Sequence, residues 1–495
     1  MSPRNEIRAR ASRSCGNCRA VKRRCDRQSP HCGQCIRLGE ECPGYRDEWD
    51  LVFRDQTDKT IKRSKAKRTK SASNDSPPPT QHLSPTTQCL SPSIDEIGVN
   101  YFLCNFVIGG QSSSRGCLNY IPTVYRADGD SPTLVASMAA VGLVALANTT
   151  QQPELASHAR AKYAEAIRNV NIALESPIES VKDSTLMSVI SLGVFEHVSD
   201  YESWVRHVQG AAALVVARGK RQFSSPITIL MFNQVRADLV LACVHGAKPF
   251  PEDVLELQEE AAKHADTSST FWFMGVLGTR CANLLMSVRK NKFTGGIPWS
   301  ELLDEASVIE RDFQYILGVL VIQEPYTTTR DSDGDPSMIY NGRFDLYRDS
   351  WAIRLWNNLR SLRMIVCEIS YFLLNKFLAT DLAPAVRENM KLELQKTLET
   401  LSRMADDILA TVPQASEFLS SASGSRRSVG FSFQRSVPGG YMLTWGLYMV
   451  GKCPVTTSET RKWVIRRLQN IGKDTGISVA LQLVEHIENI DQLAG

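Results

Sequence analysis

Six cysteines fall close together near the amino terminus, in the stretch CGNCRAVKRRCDRQSPHCGQCIRLGEEC. A C-x-x-C pair is followed by a third cysteine, and the same arrangement then repeats. Clustered thiolates with this spacing bind zinc, which takes four ligands in a tetrahedron. Two separate sites would need eight thiolates, so six can satisfy two zinc ions only if two of them bridge both metals. The predicted ligands of this binuclear cluster are Cys15, Cys18, Cys25, Cys32, Cys35 and Cys42.

Other uses of these cysteines fit the sequence less well. A thioredoxin-like redox pair needs one C-x-x-C beside a βαβ pattern, and a disulfide framework needs an oxidising compartment. A metal-storage peptide would not need the basic run that follows Cys18. His31 lies beside Cys32, but six cysteines already complete the cluster, so we interpret His31 as a surface residue.

Basic residues are concentrated around the same cysteines. Residues 1–70 contain nineteen Lys and Arg against nine Asp and Glu, whereas the rest of the chain contains 38 against 44. A basic amino-terminal segment followed by a mildly acidic remainder is typical of proteins that contact nucleic acid or another polyanion. Because this short segment contains little apolar sequence, we expect it to draw its folding free energy from bound metal.

The chain shows no sign of export or of membrane insertion. Its amino terminus is rich in arginine and lacks the apolar region of a signal peptide. The longest apolar run, TLVASMAAVGLVALA from Thr133, is shorter than the ~20 residues that span a bilayer. We therefore expect thirteen cysteines in a reducing compartment and no membrane partner.

The cysteine-rich stretch resembles the DNA-binding domain of the fungal zinc binuclear-cluster transcription factors. The resemblance lies in the six cysteines, the basic run CRAVKRRC, Pro30 between the two halves and the trailing CPGYRDEWDLVFRD. It implies that each half begins a short helix at its C-x-x-C and that the first helix enters the major groove of double-stranded DNA. It also implies that Cys15 and Cys32 are the bridging ligands and that the other four cysteines are terminal.

The same resemblance assigns DNA contacts to the basic run. Lys22 would read guanine edges in a CGG half-site, and Arg19, Arg23 and Arg24 would meet phosphates, which position the module without reading sequence. Val21 departs from the family, because many members carry a basic residue there, so a phosphate contact is lost at this position.

A linker follows the cysteine-rich module. Its Ser/Pro/Thr-rich part cannot bury enough apolar surface to fold, and its apolar residues are too few for a strong coiled-coil zipper. A basic run predicts nuclear import, through Lys62, Arg63, Lys65, Lys67, Arg68 and Lys70. The predicted domains are a basic disordered arm (1–14), the zinc-cluster DNA-binding domain (15–46), a linker (47–93) and an all-helical regulatory domain (94–495).

Helical periodicity dominates the sequence after the linker. In ELASHARAKYAEAIRNVNIAL, apolar residues recur at steps of three or four, which places them on one helix face. Similar stripes run through STLMSVISLGVFEH and WAIRLWNNLRSLRMIVCEISYFLLNKFL, and no convincing run of alternating strands is present. We predict a mainly α protein: a small zinc module, a disordered linker and a large all-helical domain.

The segment YESWVRHVQGAAALVVARG resembles the W-x-x-H-x-x-G-A signature of the helical regulatory domain of the same fungal family. Its His207 lies on a largely apolar face, so we interpret it as a satisfied core residue and assign it no catalytic role. The acidic stretch from Glu252 to Glu260 is interpreted as a solvated helix face. The sequence contains no G-x-S-x-G, H-E-x-x-H or G-x-x-x-x-G-K-[ST] motif, and we predict that the protein is not an enzyme.

The leading hypothesis is a nuclear, sequence-specific regulator of RNA polymerase II transcription that binds CGG-containing DNA through two zinc ions in one cluster. Pathway-specific control of a biosynthetic gene cluster is a further expectation from the family. The alternative is a regulator whose helical domain senses a small metabolite and uses the zinc module as its output. A third hypothesis is a redox or metal sensor that uses the cluster itself. A homodimer through the helical domain, transcriptional co-regulators and a small-molecule effector are the other partners considered.

Overall fold

The computed structural model describes residues 14–26, 28, 31–43, 92–108, 116–127, 131–246, 248–416 and 437–494, with backbone alone at Arg19, 437–438 and 490–494. Its contacts divide the chain into two units, Met1–Cys89 and Leu90–Gly495. Most of the predicted arm, most of the linker and the predicted nuclear-import run lie outside the described residues.

The amino-terminal unit contains two short helices, α1 (Gly16–Ala20) and α2 (Gly33–Arg37). Each begins directly after the first cysteine of a C-x-x-C pair, as expected. The buried cluster between them consists of cysteines, with Cys25 packed partly buried against the other five. In its described residues this unit therefore has a core of sulfur rather than of aliphatic side chains.

The second unit is built from helices of very different length. In chain order they are α3 (Ile94–Asn105), α4 (Ile121–Ala127), α5 (Pro132–Thr150), α6 (Pro153–Glu175), α7 (Asp183–Ser199), α8 (Tyr201–Arg218), α9 (Pro226–Gly246), α10 (Glu252–Ala262), α11 (Thr270–Thr294), α12 (Trp299–Gln323), α13 (Ser350–Leu378), α14 (Pro384–Leu409), α15 (Val412–Ala415), α16 (Val437–Lys452), α17 (Ser458–Thr475) and α18 (Ser478–Ala494). Short 3₁₀ segments cover Lys220–Ser224 and Tyr340–Gly342.

Helices α3 and α5 to α8 form the first part of this unit. Helix α3 starts with a capping box, in which the Ser93 hydroxyl accepts from the Glu96 backbone N–H and the Glu96 carboxylate accepts from that of Ser93. Helix α5 packs on α3, α6 and α7. Every residue of α7 from Ser184 to Val198 is buried, including Glu196 and His197, because neighbouring helices pack on it from several sides.

The carboxyl-terminal helices return to the first part of the unit. Helix α18 packs on α7, and α17 packs on α5, where the Asn148 amide donates to the Gly476 carbonyl over 3.2 Å. Between them, α11, α12, α13 and α14 pack in sequence, and α13 also contacts α16. One apolar core runs from Val99 to Ile487. The prediction of a mainly α protein with a large helical domain is confirmed.

A two-stranded antiparallel sheet interrupts the helices and was not expected from the sequence. Strand β1 (Tyr326–Arg330) pairs with β2 (Arg343–Tyr347) in the register Thr328 opposite Asp345. Asp345 is fully buried, accepts from the Thr328 hydroxyl at 2.7 Å and pairs with Arg343 at 3.1 Å. Each strand is five residues long. The run of β-branched residues in β1 is too short to distinguish a strand from the helical sequence around it.

Three helices of the described chain, α5, α9 and α11, are long and apolar enough to cross a membrane by length and composition. The expectation that the chain has no segment of this length is therefore wrong. In the structure 72%, 67% and 50% of their most apolar stretches are buried inside the protein. Their apolar character is used in packing against neighbouring helices.

The predicted stripe on α6 is largely confirmed. Ala159, Ala166 and Val170 are buried, and Tyr163 packs partly buried against the core, whereas Leu174 near the helix end is exposed. Tyr163 also shares a hydrogen bond of 2.9 Å with Nε2 of His207 on α8. His207 is half-buried with a satisfied ring nitrogen, as the sequence predicted, and burial lowers its pKa below the ordinary histidine value.

Candidate metal centre

The helices α1 and α2 are positioned by sulfur. The Cys15 thiol accepts from the Cys18 backbone N–H at 3.5 Å, and the Cys32 thiol accepts from the Cys35 backbone N–H at 3.4 Å. Cys32 is thus the N-cap of α2, a role that a side-chain oxygen plays in most helices. The local fold presents both members of each C-x-x-C pair on the same side.

The sequence duplication is also a structural duplication. The Cys15 backbone N–H lies 3.5 Å from the Cys25 sulfur, and the Cys32 backbone N–H lies 3.5 Å from the Cys42 sulfur. In each half, the third cysteine therefore lies beside the backbone N–H of the first. Asn17 ties the two halves together by donating to the Glu41 carbonyl at 2.9 Å.

The sulfur atoms lie at distances that suit zinc. The Sγ atoms of Cys15, Cys18, Cys32 and Cys35 all lie within 4.8 Å of one another, and all four side chains are buried. The Cys15–Cys32, Cys18–Cys32 and Cys15–Cys35 sulfur distances are 3.5, 3.7 and 3.8 Å. Ligands about 2.3 Å from a tetrahedral zinc ion lie about 3.8 Å from one another. The donor set and its spacing therefore fit zinc, and the six clustered cysteines can bind two zinc ions.

A glycine follows the first cysteine of each half, and the structure shows why. A Cβ at Gly16 would lie 2.8 Å from the Pro43 ring, and one at Gly33 would lie 2.5 Å from an Asp26 carboxylate oxygen. The same carboxylate accepts from the Gly33 backbone N–H at 3.0 Å. The sequence analysis did not predict these contacts between the halves. The glycine repeated in each C-G-x-C was the signal that could have indicated them.

Arg23 points at the sulfur cluster. Its guanidinium donates to the Cys18 sulfur at 3.3 Å and to the Cys35 sulfur at 3.4 Å, so it bridges the two halves, and it forms an ion pair with Glu40. The hydrogen bond from Arg23 lowers the pKa of the Cys18 thiol, which favours the thiolate that binds metal. By contrast, burial raises the pKa of the Cys32 thiol. Sequence reasoning assigned Arg23 to DNA phosphate and did not foresee these contacts.

Lys22 and Arg24 flank Arg23 but are exposed to solvent. Lys22 has a φ of 55°, in the left-handed region, so the chain turns sharply at the end of α1 and separates its side chain from that of Arg23. Val21, the departure from the family pattern, is 65% exposed. His31 is exposed, as expected, and the side chain of Arg19 lies outside the described residues.

Most of the cysteines outside the module are buried where they are described. Cys117, Cys243, Cys281, Cys367 and Cys453 are buried in the helical unit, Cys104 is exposed, and Cys89 lies outside the described residues. Within the part of the chain that the structure describes, the groups of acidic, histidine or cysteine side chains spaced for a metal lie in the amino-terminal module.

Comparison with known families agrees with this geometry. Residues 13–50 match the family model of the fungal Zn(2)-Cys(6) binuclear cluster domain, and residues 100–244 match that of the fungal specific transcription factor domain. No curated protein and no solved structure was found to match the chain.

The cysteine module and its match define the class: a zinc-dependent, DNA-binding transcription factor. With the second match, the chain carries the two domains of the fungal zinc binuclear-cluster transcription factors, and the resemblance stated from the sequence is confirmed. Families of this kind are generally not enzymes, and they imply a nuclear protein.

Proposed function

We propose that the module bounded by residues 15–46 binds CGG-containing duplex DNA in the nucleus and thereby regulates transcription by RNA polymerase II, with 94–495 as its regulatory domain. The observation that carries this proposal is the combination of buried sulfur atoms at zinc-ligand distances with two exposed cations at the end of α1. Control of a biosynthetic gene cluster is retained as part of the proposal.

We propose Cys15 and Cys32 as the bridging ligands and the remaining four cysteines as terminal ligands. The sulfur distances support this, because the Cys15 and Cys32 sulfur atoms lie 3.5 Å apart and each also approaches a second cysteine of the other half. Cys15 lies 3.8 Å from Cys35, and Cys32 lies 3.7 Å from Cys18. Bound zinc would supply positive charge that neutralises the thiolates and holds the two halves together.

We propose that Lys22 contacts base edges and that Arg24 and Arg19 contact phosphates. The exposure of Lys22 and Arg24 supports their part of this assignment. The phosphate contact predicted for Arg23 remains a prediction. In the structure the Arg23 guanidinium contacts the Cys18 sulfur and Glu40. The nuclear-import role of the run from Lys62 to Lys70 is likewise a proposal.

Binding measurements on the zinc-loaded full chain test the DNA contacts. Fluorescence anisotropy would compare a CGG duplex with a scrambled duplex. Lys22→Ala should reduce discrimination between them by about 1 to 3 kcal/mol, whereas Arg24→Ala should weaken both duplexes alike. Lys396→Ala, an exposed change in the helical domain, is the matched control and should leave both affinities unchanged.

The salt dependence of the same binding curves is a second check. With ~5 phosphate contacts, log affinity should fall with log salt at a slope of roughly −4 to −5, and Arg24→Ala should reduce the slope by about one. Equal losses on both duplexes for the Lys22 and Arg24 variants would contradict the assigned roles.

A further inference from the structure

A cavity of about 100 Å³ lies inside the helical domain and is lined by α7, α8, α9, α11, α13 and α16. Aromatic side chains form much of its wall, notably Trp204, Tyr441, Trp445 and Phe271. A cavity of about 150 Å³ holds benzene, so this smaller one suits a molecule of only a few non-hydrogen atoms. An apolar wall with a few polar groups is the usual composition of a small-molecule site.

His197, on α7, presents an unpaired donor to this cavity. Trp445 donates its indole N–H to Nε2 of His197 at 2.8 Å, and an indole nitrogen can only donate. Nε2 therefore carries the lone pair, and in neutral His197 the proton is on Nδ1. Burial lowers the pKa of His197 to about 3, so the ring is neutral at physiological pH. The side chain is 1% exposed, and Nδ1 has no hydrogen-bond partner.

Arg354, on α13, contributes a second unpaired donor to the same wall. Its Nη1 is buried without a hydrogen-bond partner, although a guanidinium is always charged. Among the described residues, no carboxylate lies within ion-pair distance of Arg354. The nearby acid on the cavity wall, Asp238, accepts instead from the Gln234 amide at 2.9 Å. Burial raises the pKa of Asp238 to about 6, because the ionised carboxylate is less stable there than in water.

Arg236 adds a second cation to the wall, and its whole side chain is buried. It is 1% exposed and donates to neutral acceptors only, namely Gln258, Asn233 and the Trp272 carbonyl, at 2.8, 3.1 and 3.3 Å. Its guanidinium also stacks 4.4 Å from the Trp272 ring. Two guanidiniums thus face one carboxylate in the described lining, and a buried charge of this kind is costly unless an anion compensates it.

The absence of a side chain at residue 275 makes room for this arrangement. A Cβ at Gly275 on α11 would lie 2.1 Å from Nη2 of Arg236 and 2.4 Å from its Cζ. The guanidinium therefore occupies space that any other residue at 275 would fill. The Arg236 guanidinium therefore packs directly against the backbone of α11 at Gly275.

We propose that this cavity binds a small monocarboxylic acid with a short aliphatic body, whose carboxylate accepts hydrogen bonds from Arg354 Nη1 and His197 Nδ1. The apolar body lies against the aromatic wall, and the negative charge balances the excess of guanidinium groups over carboxylates in the lining. This proposal concerns the helical domain alone and does not depend on how the zinc module contacts DNA. It gives the metabolite-sensing alternative a defined site and a chemical class of ligand.

Propionate and propionamide form the first test, because they share a shape and differ in charge. Binding to the full chain would be followed by isothermal titration and by the melting temperature. We expect one propionate to bind each chain and to raise Tm by about 2 °C or more at saturation. Propionamide should bind at least about tenfold more weakly, since hydrogen bonds to a charged acceptor are the stronger ones. Equal binding of both, or binding of neither at millimolar concentration, would overturn the proposal.

Substitution of Arg354 locates the site. Arg354→Met keeps most of the side-chain volume and should lower propionate affinity at least about tenfold. Arg348→Met, an exposed change just before the same helix, is the matched control and should bind propionate normally. Unchanged binding in Arg354→Met would sink the assignment. If that variant does not fold, His197→Phe provides the second test with the same expected loss.

Discussion

Arg23 and Arg24 are neighbours in one basic run, yet the fold gives them different surroundings. Arg23 donates to sulfur atoms of both halves of the module, whereas Arg24 is exposed. The cause is the sharp turn at Lys22, which ends α1 and sends successive side chains in different directions. A run of like charges in the sequence is therefore divided into one residue that supports the metal centre and others that remain available to a partner.

Substituting the two arginines separately tests this division. Arg23→Gln should lower zinc affinity by about 10- to 100-fold, as loss of a group that orients metal ligands commonly does. Arg24→Gln should leave zinc affinity unchanged and lower DNA affinity instead. Competition with a chromogenic chelator measures the first quantity. Equal zinc affinities of the two variants would show that Arg23 does not support the cluster.

At the scale of elements, glycine sets how closely α3 and α5 approach. A Cβ at Gly142 on α5 would lie 1.8 Å from the Gly98 carbonyl oxygen on α3, and one at Gly98 would lie 2.7 Å from the Ala139 carbonyl oxygen. The two backbones are in direct contact at this crossing. Because backbone atoms cannot rotate away as a side chain can, the helices must separate to admit a methyl group.

Gly142→Ala should therefore destabilise the helical domain by about 3 kcal/mol, the upper part of the usual range for overpacking. Urea unfolding followed by circular dichroism at 222 nm measures the effect.

Gly210→Ala is the matched control, since Gly210 lies within α8 with no atom near the position of a Cβ. There alanine should raise the free energy of unfolding by about 0.5 to 1 kcal/mol, because it lowers the backbone entropy of the unfolded chain. A stable Gly142→Ala variant would mean that the crossing adjusts more readily than its geometry indicates.

At the scale of the whole molecule, each of the two units is stabilised by a different kind of interaction. The described core of the amino-terminal unit is made of cysteines, while the helical unit has its own apolar core. Metal ligation and apolar burial respond to different solution conditions. Loss of the metal should thus affect one unit and spare the other.

Treating the full chain with a strong zinc chelator should abolish DNA binding and leave the helical circular dichroism signal and the main thermal transition essentially unchanged. The physical reason is that the apolar core of the helical domain contains no residue of the cysteine cluster. Readdition of zinc under reducing conditions should restore DNA binding. Collapse of the main transition on chelation would contradict the independence of the two cores.

The zinc centre could be predicted from the sequence because its chemistry is local. Six residues of one type within a short stretch, spaced as a repeat, leave few arrangements that satisfy tetrahedral zinc, and sulfur is a specific ligand. The mainly helical fold was predictable for a similar reason, since the 3.6-residue periodicity of α6 and α13 is a property of each segment alone. The family matches and the geometry agree with both predictions.

Tertiary structure decided the features that depend on residues distant in the chain. The direction of Arg23, the hairpin of β1 and β2 and the burial of α7 on all sides follow from what packs around them. The cavity is the clearest case, because its two unpaired donors, His197 and Arg354, come from helices separated by long stretches of sequence, and Trp445 sets the tautomer of His197 from further away still. No local pattern marks such residues. Only the packing of six helices brings two guanidinium groups and an unpaired N–H to one largely apolar wall.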